Sequence, residues 1–233
     1  DELYIKMNAR GKPLTDFENF KAKFEQHIKK ERWENSTEVT ETFSHRIDTL
    51  WTDLFWNYRD ETENVFDEQL LNFFRTMAVI NYTLKAPKDD KFRRIIDLLR
   101  GSQKVSFNQY LDLGCFDEDY FKTLKFVLNK ISDKSGLKTF LSDTTYADEK
   151  DIFNGAIKNN LGYAELLKLF ALYQYLACEN DIDKVNLQNW LRIVRNLVEA
   201  HRLYYDNANT FADSLLFLYL LKLSLSNTQY HQS

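Results

Sequence analysis

Glycine and proline are scarce in this chain, and their scarcity limits what it can fold into more than any other feature. Six glycines and two prolines occur among 233 residues, so few positions suit the tight turns that a turn-rich β architecture needs. Hydrophobic residues make up 44% of the sequence and aromatic residues 15%. That content is enough for a large core and argues against disorder. The composition therefore predicts a mainly α-helical protein.

Apolar residues recur at helical spacing along most of the chain. The clearest run has the spacing i, i+4, i+7, i+8, i+11 and i+12, and it consists of Phe43, Ile47, Leu50, Trp51, Leu54 and Phe55. A stretch rich in Ser, Thr and Asp around Gly136 interrupts the pattern and is a predicted linker. We predict a multi-helix bundle of about nine helices in two stacked subdomains, with a short N-terminal strand remnant.

The N-terminal segment is the part of the sequence that points to a function. The strand-forming pair Tyr4-Ile5 is followed by a polar turn and then by a helix whose predicted N-cap is Thr15, with Glu18 completing a capping box. A strand that leads into a glycine-containing turn and a helix N-terminus is a common anion-binding arrangement, because free N–H groups and the helix dipole favour negative charge. The predicted nucleotide- or phosphate-binding residues are Asn8, Arg10, Gly11 and Lys12.

Two interpretations of this turn are open. In the functional one, Arg10 and Lys12 contact phosphate while Asn8 fixes the turn by hydrogen bonding. In the other, Asn8 and Gly11 only form the turn, and Arg10 pairs with a neighbouring carboxylate. No Walker-type loop occurs in the sequence, so ordinary P-loop chemistry is excluded.

The same segment resembles the signature of the GmrSD-type restriction-enzyme family. Ile5-Lys6-Met7-Asn8-Ala9-Arg10-Gly11-Lys12-Pro13-Leu14 is similar to the family pattern F-I-x-x-N-x-R-G-x-x-L. The matching positions are Asn8, Arg10, Gly11 and Leu14. In that family the pattern belongs to a ParB/sulfiredoxin-like module. The resemblance implies a parent protein that uses an NTP, with a divalent metal, to drive cleavage of foreign and often modified DNA.

Two other motifs of that family are absent. The sequence lacks the D-G-Q-Q-R stretch that carries the nucleotide chemistry, and it lacks the His-x-x-Pro of the HNH nuclease module that is often fused downstream. We therefore interpret the chain as a piece of a longer protein. Residues 1–34 are predicted to end the ParB-like module, 35–131 and 148–233 to form the two helical subdomains, and 132–147 to link them. We expect no catalytic residue, metal site or cofactor in the piece itself, and enzymatic activity only in an NTP-dependent endonuclease parent.

A second, weaker resemblance lies near the C-terminus. Trp190–Glu199 is similar to a W-x-R-x-x-R-N-L-x-E helix of the same family. Its polar side chains share one helix face that we predict to be an interaction or DNA-backbone face: Arg192, Arg195, Asn196, Glu199 and, one turn on, Arg202. The opposite face is apolar and consists of Leu191, Val194, Leu197 and Val198. The alternative is a solvated face with intrahelical ion pairs worth about 0.2–0.5 kcal/mol each.

The leading hypothesis is the helical scaffold or interaction region of a GmrSD-like, nucleotide-dependent DNA-restriction protein of phage defence. Its expected partners are the ParB-like core, an HNH nuclease module and DNA. A protein-binding helical adaptor and an autonomous DNA-binding helical module are the alternatives, although the net charge of −4 provides no overall attraction to DNA. Cys115 and Cys178 have no CxxC spacing and are expected as free thiols in a bacterial cytoplasm. No membrane association is expected.

Overall fold

The computed structural model describes residues 14–62, 65–132, 149–178, 183–201 and 207–229. The α-helices of these residues are α1 Asp16–Glu31, α2 Phe43–Asp48, α3 Leu50–Trp56, α4 Asp67–Lys85, α5 Phe92–Arg100, α6 Phe107–Asp112, α7 Glu118–Ser132, α8 Glu149–Ile157, α9 Tyr163–Cys178, α10 Lys184–Ala200 and α11 Ala208–Gln229. A short 3-10 helix, Val39–Glu41, precedes α2. The predicted mainly α-helical, multi-helix fold is confirmed. The predicted strand remnant lies outside the described residues, and the division into subdomains stays a prediction.

Local sequence signals set several helix boundaries. At the start of α1, Glu18 N donates to Thr15 Oγ1 at 3.1 Å and Thr15 N donates to Glu18 Oε2 at 2.7 Å, which is the predicted capping box. The run from Phe43 to Phe55 forms two helices because Thr49 interrupts it. The Thr49 hydroxyl donates to the carbonyl oxygen of His45 at 2.7 Å. In a continuous helix that oxygen would accept from the backbone N–H of Thr49, which here donates to Arg46 O at 3.4 Å instead.

Helix α4 lies at the centre of the described structure. It packs against α1, α5, α7, α8, α9 and α11. Its buried residues are Leu70, Phe73, Phe74, Thr76, Met77, Ala78, Val79, Ile80, Asn81, Tyr82 and Thr83. From Thr76 to Thr83 these residues are consecutive, so all sides of the helix are covered over these two turns.

An aromatic cluster joins the N-terminal half of α4 to α1, α2, α6 and α7. Phe24 is fully buried at its centre, with ring centroids 5.2 Å from Phe43, 5.4 Å from Phe116 and 5.9 Å from Phe74. The Phe24 ring meets Phe43 and Phe74 close to edge-on. This geometry brings the positive ring edge to the negative face of the neighbour and adds about 0.5–1.5 kcal/mol per pair beyond the burial itself.

Polar side chains of α4 fix its neighbours by hydrogen bonds. Asn72 Nδ2 donates to Ile157 O at 3.0 Å and Thr76 Oγ1 donates to Ala156 O at 3.2 Å, so two of the last carbonyls of α8 are satisfied by α4. Near the other end of α4, Asn81 Nδ2 donates to Cys115 O at 3.1 Å. Because buried polar groups are costly without a partner, these bonds fix α4 relative to α8 and to the segment that contains Cys115.

The C-terminal helices are held to the same core. α9 packs against α8, α10 and α11, and α8, α9 and α11 all reach α4. Trp190 Nε1 donates to Ala171 O at 2.8 Å, which ties α10 to α9. Tyr163 stacks on Phe211 with ring centroids 4.9 Å apart, which ties the start of α9 to α11. None of the described helices is both long enough and apolar enough to cross a membrane.

Truncation of Phe74 tests how much the aromatic cluster around α4 contributes to stability. We expect Phe74→Ala to lower the free energy of unfolding by about 3–5 kcal/mol, because the ring is buried against aromatic rings of α1 and α2 and its loss leaves a cavity. The matched control Val39→Ala changes an apolar residue that is 71% exposed and should stay within about 0.5 kcal/mol. Equilibrium urea unfolding followed by circular dichroism measures both. Equal effects of the two changes would contradict the central role of this cluster.

Candidate functional site: a cleft at the start of helix α1

The predicted phosphate-binding residues Asn8, Arg10, Gly11 and Lys12 lie outside the described residues, so their role stays a prediction. The first described residue is Leu14, two residues before the start of α1. Asn19 Nδ2 donates to Leu14 O at 3.3 Å and to Thr15 O at 3.0 Å. Together with the Thr15–Glu18 capping box, these bonds fix the direction in which the chain enters α1.

A cleft of about 810 Å³ opens beside this first turn. Its walls come from the first turns of α1 and α4, the loop 102–106 and helix α6. Four aromatic residues are among those that line it, namely Phe20, Phe74, Phe107 and Tyr110. A volume of this size lies within the range of pockets that hold small ligands or side chains of a partner.

Arg75 fixes the loop that forms the wall of the cleft opposite α1. Its Nη1 donates to Gly101 O at 2.7 Å, its Nη2 donates to Gln103 O, and its Nε donates to the Tyr110 hydroxyl at 3.3 Å. Burial raises the pKa of Tyr110, and the Arg75 guanidinium partly opposes that rise. The guanidinium thus binds the loop from Gly101 to Gln103 and gives the cleft a fixed wall.

The charges around the cleft are balanced. Three basic residues, Lys23, Arg75 and Lys104, and three acidic residues, Asp16, Asp67 and Glu68, contribute to its lining. Lys104 forms an ion pair with Asp16 across the mouth. Both partners are exposed, so the pair contributes little to stability. A balanced lining does not concentrate the positive potential that a nucleic-acid backbone requires.

The described residues contain no group of three or more His, Cys, Asp or Glu side chains that could hold a metal ion. Cys115, the free thiol with a described side chain, is buried, and burial raises its pKa to about 12. Its nucleophilic thiolate form is therefore scarcely populated at neutral pH.

The predicted polar face of α10 has the expected orientation. Its described members, Arg192, Arg195, Asn196 and Glu199, are exposed, and Arg195 Nε donates to Glu199 Oε1 at 2.8 Å. On the opposite face Leu191, Val194 and Val198 are buried and Leu197 is half-buried. Arg202 lies outside the described residues. The Arg195–Glu199 pair is the intrahelical contact expected of a solvated face, and the partner of this face stays a prediction.

Sequence reasoning missed Arg75 and the cleft. One signal was available, because Arg75 interrupts the apolar series from Phe73 to Ile80 on α4. A long charged side chain in such a helix needs a hydrogen-bonded position. Its acceptors on Gly101 and Gln103 lie 26 and 28 residues away, and helical periodicity carries no information about contacts at that distance.

No protein-family model, curated protein or solved structure matches this chain.

His27 lies next to a residue that lines the cleft. Its ring lies edge-on to Trp33 at 4.8 Å and to the cleft residue Phe107 at 5.9 Å. Burial lowers the pKa of His27 below its ordinary value of 6.5; Glu31 opposes the shift and Lys30 adds to it. The unfolded chain therefore binds a proton at this position more readily than the folded chain.

We expect His27 to make the folded state less stable as the pH falls through 6.5. The loss begins near the pKa of the unfolded chain and levels off below the lower pKa of the folded chain. The variant His27→Gln removes the titrating group, so its stability should change less than that of the wild type between about pH 7.5 and about pH 6. Urea unfolding at both pH values measures the difference. Identical pH dependence in the two proteins would exclude this role for His27.

Proposed function

We propose that this chain is the helical scaffold of a GmrSD-like, nucleotide-dependent DNA-restriction protein of phage defence, and that it is not catalytic by itself. The observation that carries the proposal is the connection between the signature and the core. The family-like segment ends at Leu14, and α1 begins at Asp16. Four residues of α1 are buried, Phe17, Phe20, Phe24 and Ile28. The sequence that resembles the family signature thus leads directly into a helix that is anchored in the protein core.

Such an anchor suits a phosphate-binding turn. Phosphate contacts are charge-assisted hydrogen bonds that depend on direction and distance, so their donors must be held in place. In this proposal Arg10 and Lys12 provide the charges, Asn8 fixes the turn and Gly11 permits its tight path. The N-terminus of α1 adds its dipole. The NTP, its divalent metal and the DNA-cleaving module belong to the parent protein.

Two surfaces of the described residues support the proposed partners. The cleft beside α1 is lined in part by aromatic residues and its charges are balanced, which favours contact with protein over a polyanion. We assign to it the ParB-like core of the parent. The exposed polar face of α10, with Arg192 and Arg195, is available for the same core or for DNA phosphate. The bacterial cytoplasm is the proposed location.

A protein-binding helical adaptor is the second candidate. One specific observation favours it, namely the large apolar side chains exposed on α11, such as Phe217 and Leu220. Patches of this kind mark protein–protein contacts. The two candidates differ in what the N-terminal turn does, since an adaptor has no need of a nucleotide.

The variant Arg10→Ala separates the two candidates. In the complete gene product, loss of one charge-assisted hydrogen bond of about 1.5–3 kcal/mol should weaken nucleotide binding by roughly 10- to 100-fold. Isothermal titration calorimetry with ATP and GTP in the presence of magnesium measures the affinity. Plaque counts of a restricted phage on bacteria that carry the same variant measure the defence.

The matched control is Arg94→Ala, which removes an exposed arginine from α5. It should retain the nucleotide affinity and the defence of the wild type. A complete protein that binds neither nucleotide would overturn the proposed function. So would an Arg10→Ala protein with unchanged affinity and unchanged phage restriction, and the adaptor would then be the better interpretation.

A further inference from the structure

The cleft beside α1 retains apolar surface that water can reach. Its four aromatic residues are buried. Two further apolar residues of its lining, Leu71 of α4 and Val105 of the loop 102–106, are only partly buried. A volume of about 810 Å³ has room for several side chains. The cleft therefore suits a short segment that carries apolar side chains.

The chain enters the described structure beside this cleft. Leu14 is the first described residue, and the next two residues, Thr15 and Asp16, line the cleft. From Ile5 to Leu14 the chain can span at most about 30 Å. A cube with the volume of the cleft has an edge of only about 9 Å. The residues that precede Leu14 are therefore attached at the cleft and are long enough to reach all of it.

The sequence before Leu14 contains an apolar segment with the period of a strand. Leu3, Ile5 and Met7 occupy every second position, and Tyr4 and Lys6 lie between them. Side chains at alternate positions of a strand share one side. Residues 3–7, called the N-terminal segment below, thus have the pattern of a strand with one apolar side.

The charges of the cleft complement those of the N-terminal segment. Asp67 and Glu68, in the first turn of α4, belong to the lining. Among the described residues the third carboxylate of the lining, Asp16, pairs with Lys104, and neither Asp67 nor Glu68 forms an ion pair there. Lys6 is the single charged residue of the N-terminal segment. An exposed pair of this kind adds little affinity, but it favours a cationic segment over an anionic one.

We propose that the N-terminal segment of this chain occupies the cleft, with its apolar side against the lining and Lys6 beside the carboxylates of α4. The attachment at Leu14 favours this occupant over a separate molecule, because a short tether gives an effective concentration in the millimolar range. A free ligand with the same contacts must exceed that concentration to displace the segment.

The proposal also narrows the assignment of the cleft to the ParB-like core. Residues 1–34 are the predicted end of that module, so the N-terminal segment is the part of it that enters the cleft. The sequence Asn8–Lys12 is then held at both ends, by the N-terminal segment on one side and by α1 on the other. The docking itself rests on the attachment, the apolar pattern and the charges, and it requires neither the family assignment nor a nucleotide.

Zero-length carbodiimide cross-linking of the complete 233-residue chain tests the docking. The reagent joins a lysine to a carboxylate with which it is in contact, and mass spectrometry of the digested protein identifies the pair. We expect Lys6 to be joined to Asp67 or Glu68. The ion pair of Lys122 with Glu118, at 2.7 Å, is the internal reference. No nucleotide is present, so the outcome is separate from that of the Arg10→Ala titration.

An equimolar mixture of unlabelled and ¹⁵N-labelled protein distinguishes docking within one chain from docking between two chains. The Lys6 cross-links should join peptides with the same label. Mixed-label pairs in the statistical proportion would assign the cleft to the N-terminal segment of a second copy and overturn the proposal. Formation of the reference cross-link without any between Lys6 and Asp67 or Glu68 would also overturn it.

The variant Ile5→Ser distinguishes docking from mere proximity of a tethered segment. Loss of the central apolar side chain should lower the yield of the Lys6 cross-links, relative to the reference, by about fivefold or more. The matched control Tyr4→Ser changes the neighbouring position on the other side of the strand and should retain the wild-type yield. Equal yields in wild type and Ile5→Ser would show a tether without docking and overturn the proposal. An equal loss in both variants would overturn the assignment of the apolar side to the cleft.

Discussion

The burial of helix α4 on all sides is the constraint on which the rest of the structure depends. Six other helices pack against it, and from Thr76 to Thr83 every residue is buried. The stabilisation comes mainly from apolar surface removed from water, while hydrogen bonds determine how the neighbouring elements are placed around α4. Asn72 and Thr76 bind the end of α8, and Asn81 binds the carbonyl oxygen of Cys115 before α7. Rotation of α4 would break these bonds together with the packing.

The candidate site depends on the same helix. Arg75 of α4 donates hydrogen bonds to the loop that forms one wall of the cleft. The preceding residue, Phe74, contributes to the lining of the cleft. On the other side, Phe20 of α1 lies 5.4 Å from Phe74 between ring centroids. The start of α1, and with it the point where the family-like segment joins the bundle, is therefore positioned by contacts with α4.

Local features of the fold could be predicted from the sequence. The capping box of Thr15 and Glu18 and the buried face of α10 follow from spacing alone, because both depend on residues within two turns of each other. The break at Thr49 could not be predicted with the same certainty, since a threonine hydroxyl only competes with a backbone bond. The central position of α4 depends on contacts such as that of Thr76 with Ala156, which are 80 residues apart. The hydrogen bonds from Arg75 to Gly101 and Gln103 could not be predicted from helical periodicity for the same reason.

Hydrogen exchange of the complete chain, followed residue by residue by NMR, tests the central claim most directly. If α4 is the constraint on which the fold depends, the amides from Phe73 to Tyr82 should exchange only through global unfolding. Their opening free energy should then equal the free energy of unfolding from urea titration and decrease with urea at the same slope. Exchange of these amides through a smaller opening, while amides of α9 or α1 remain protected, would contradict the account.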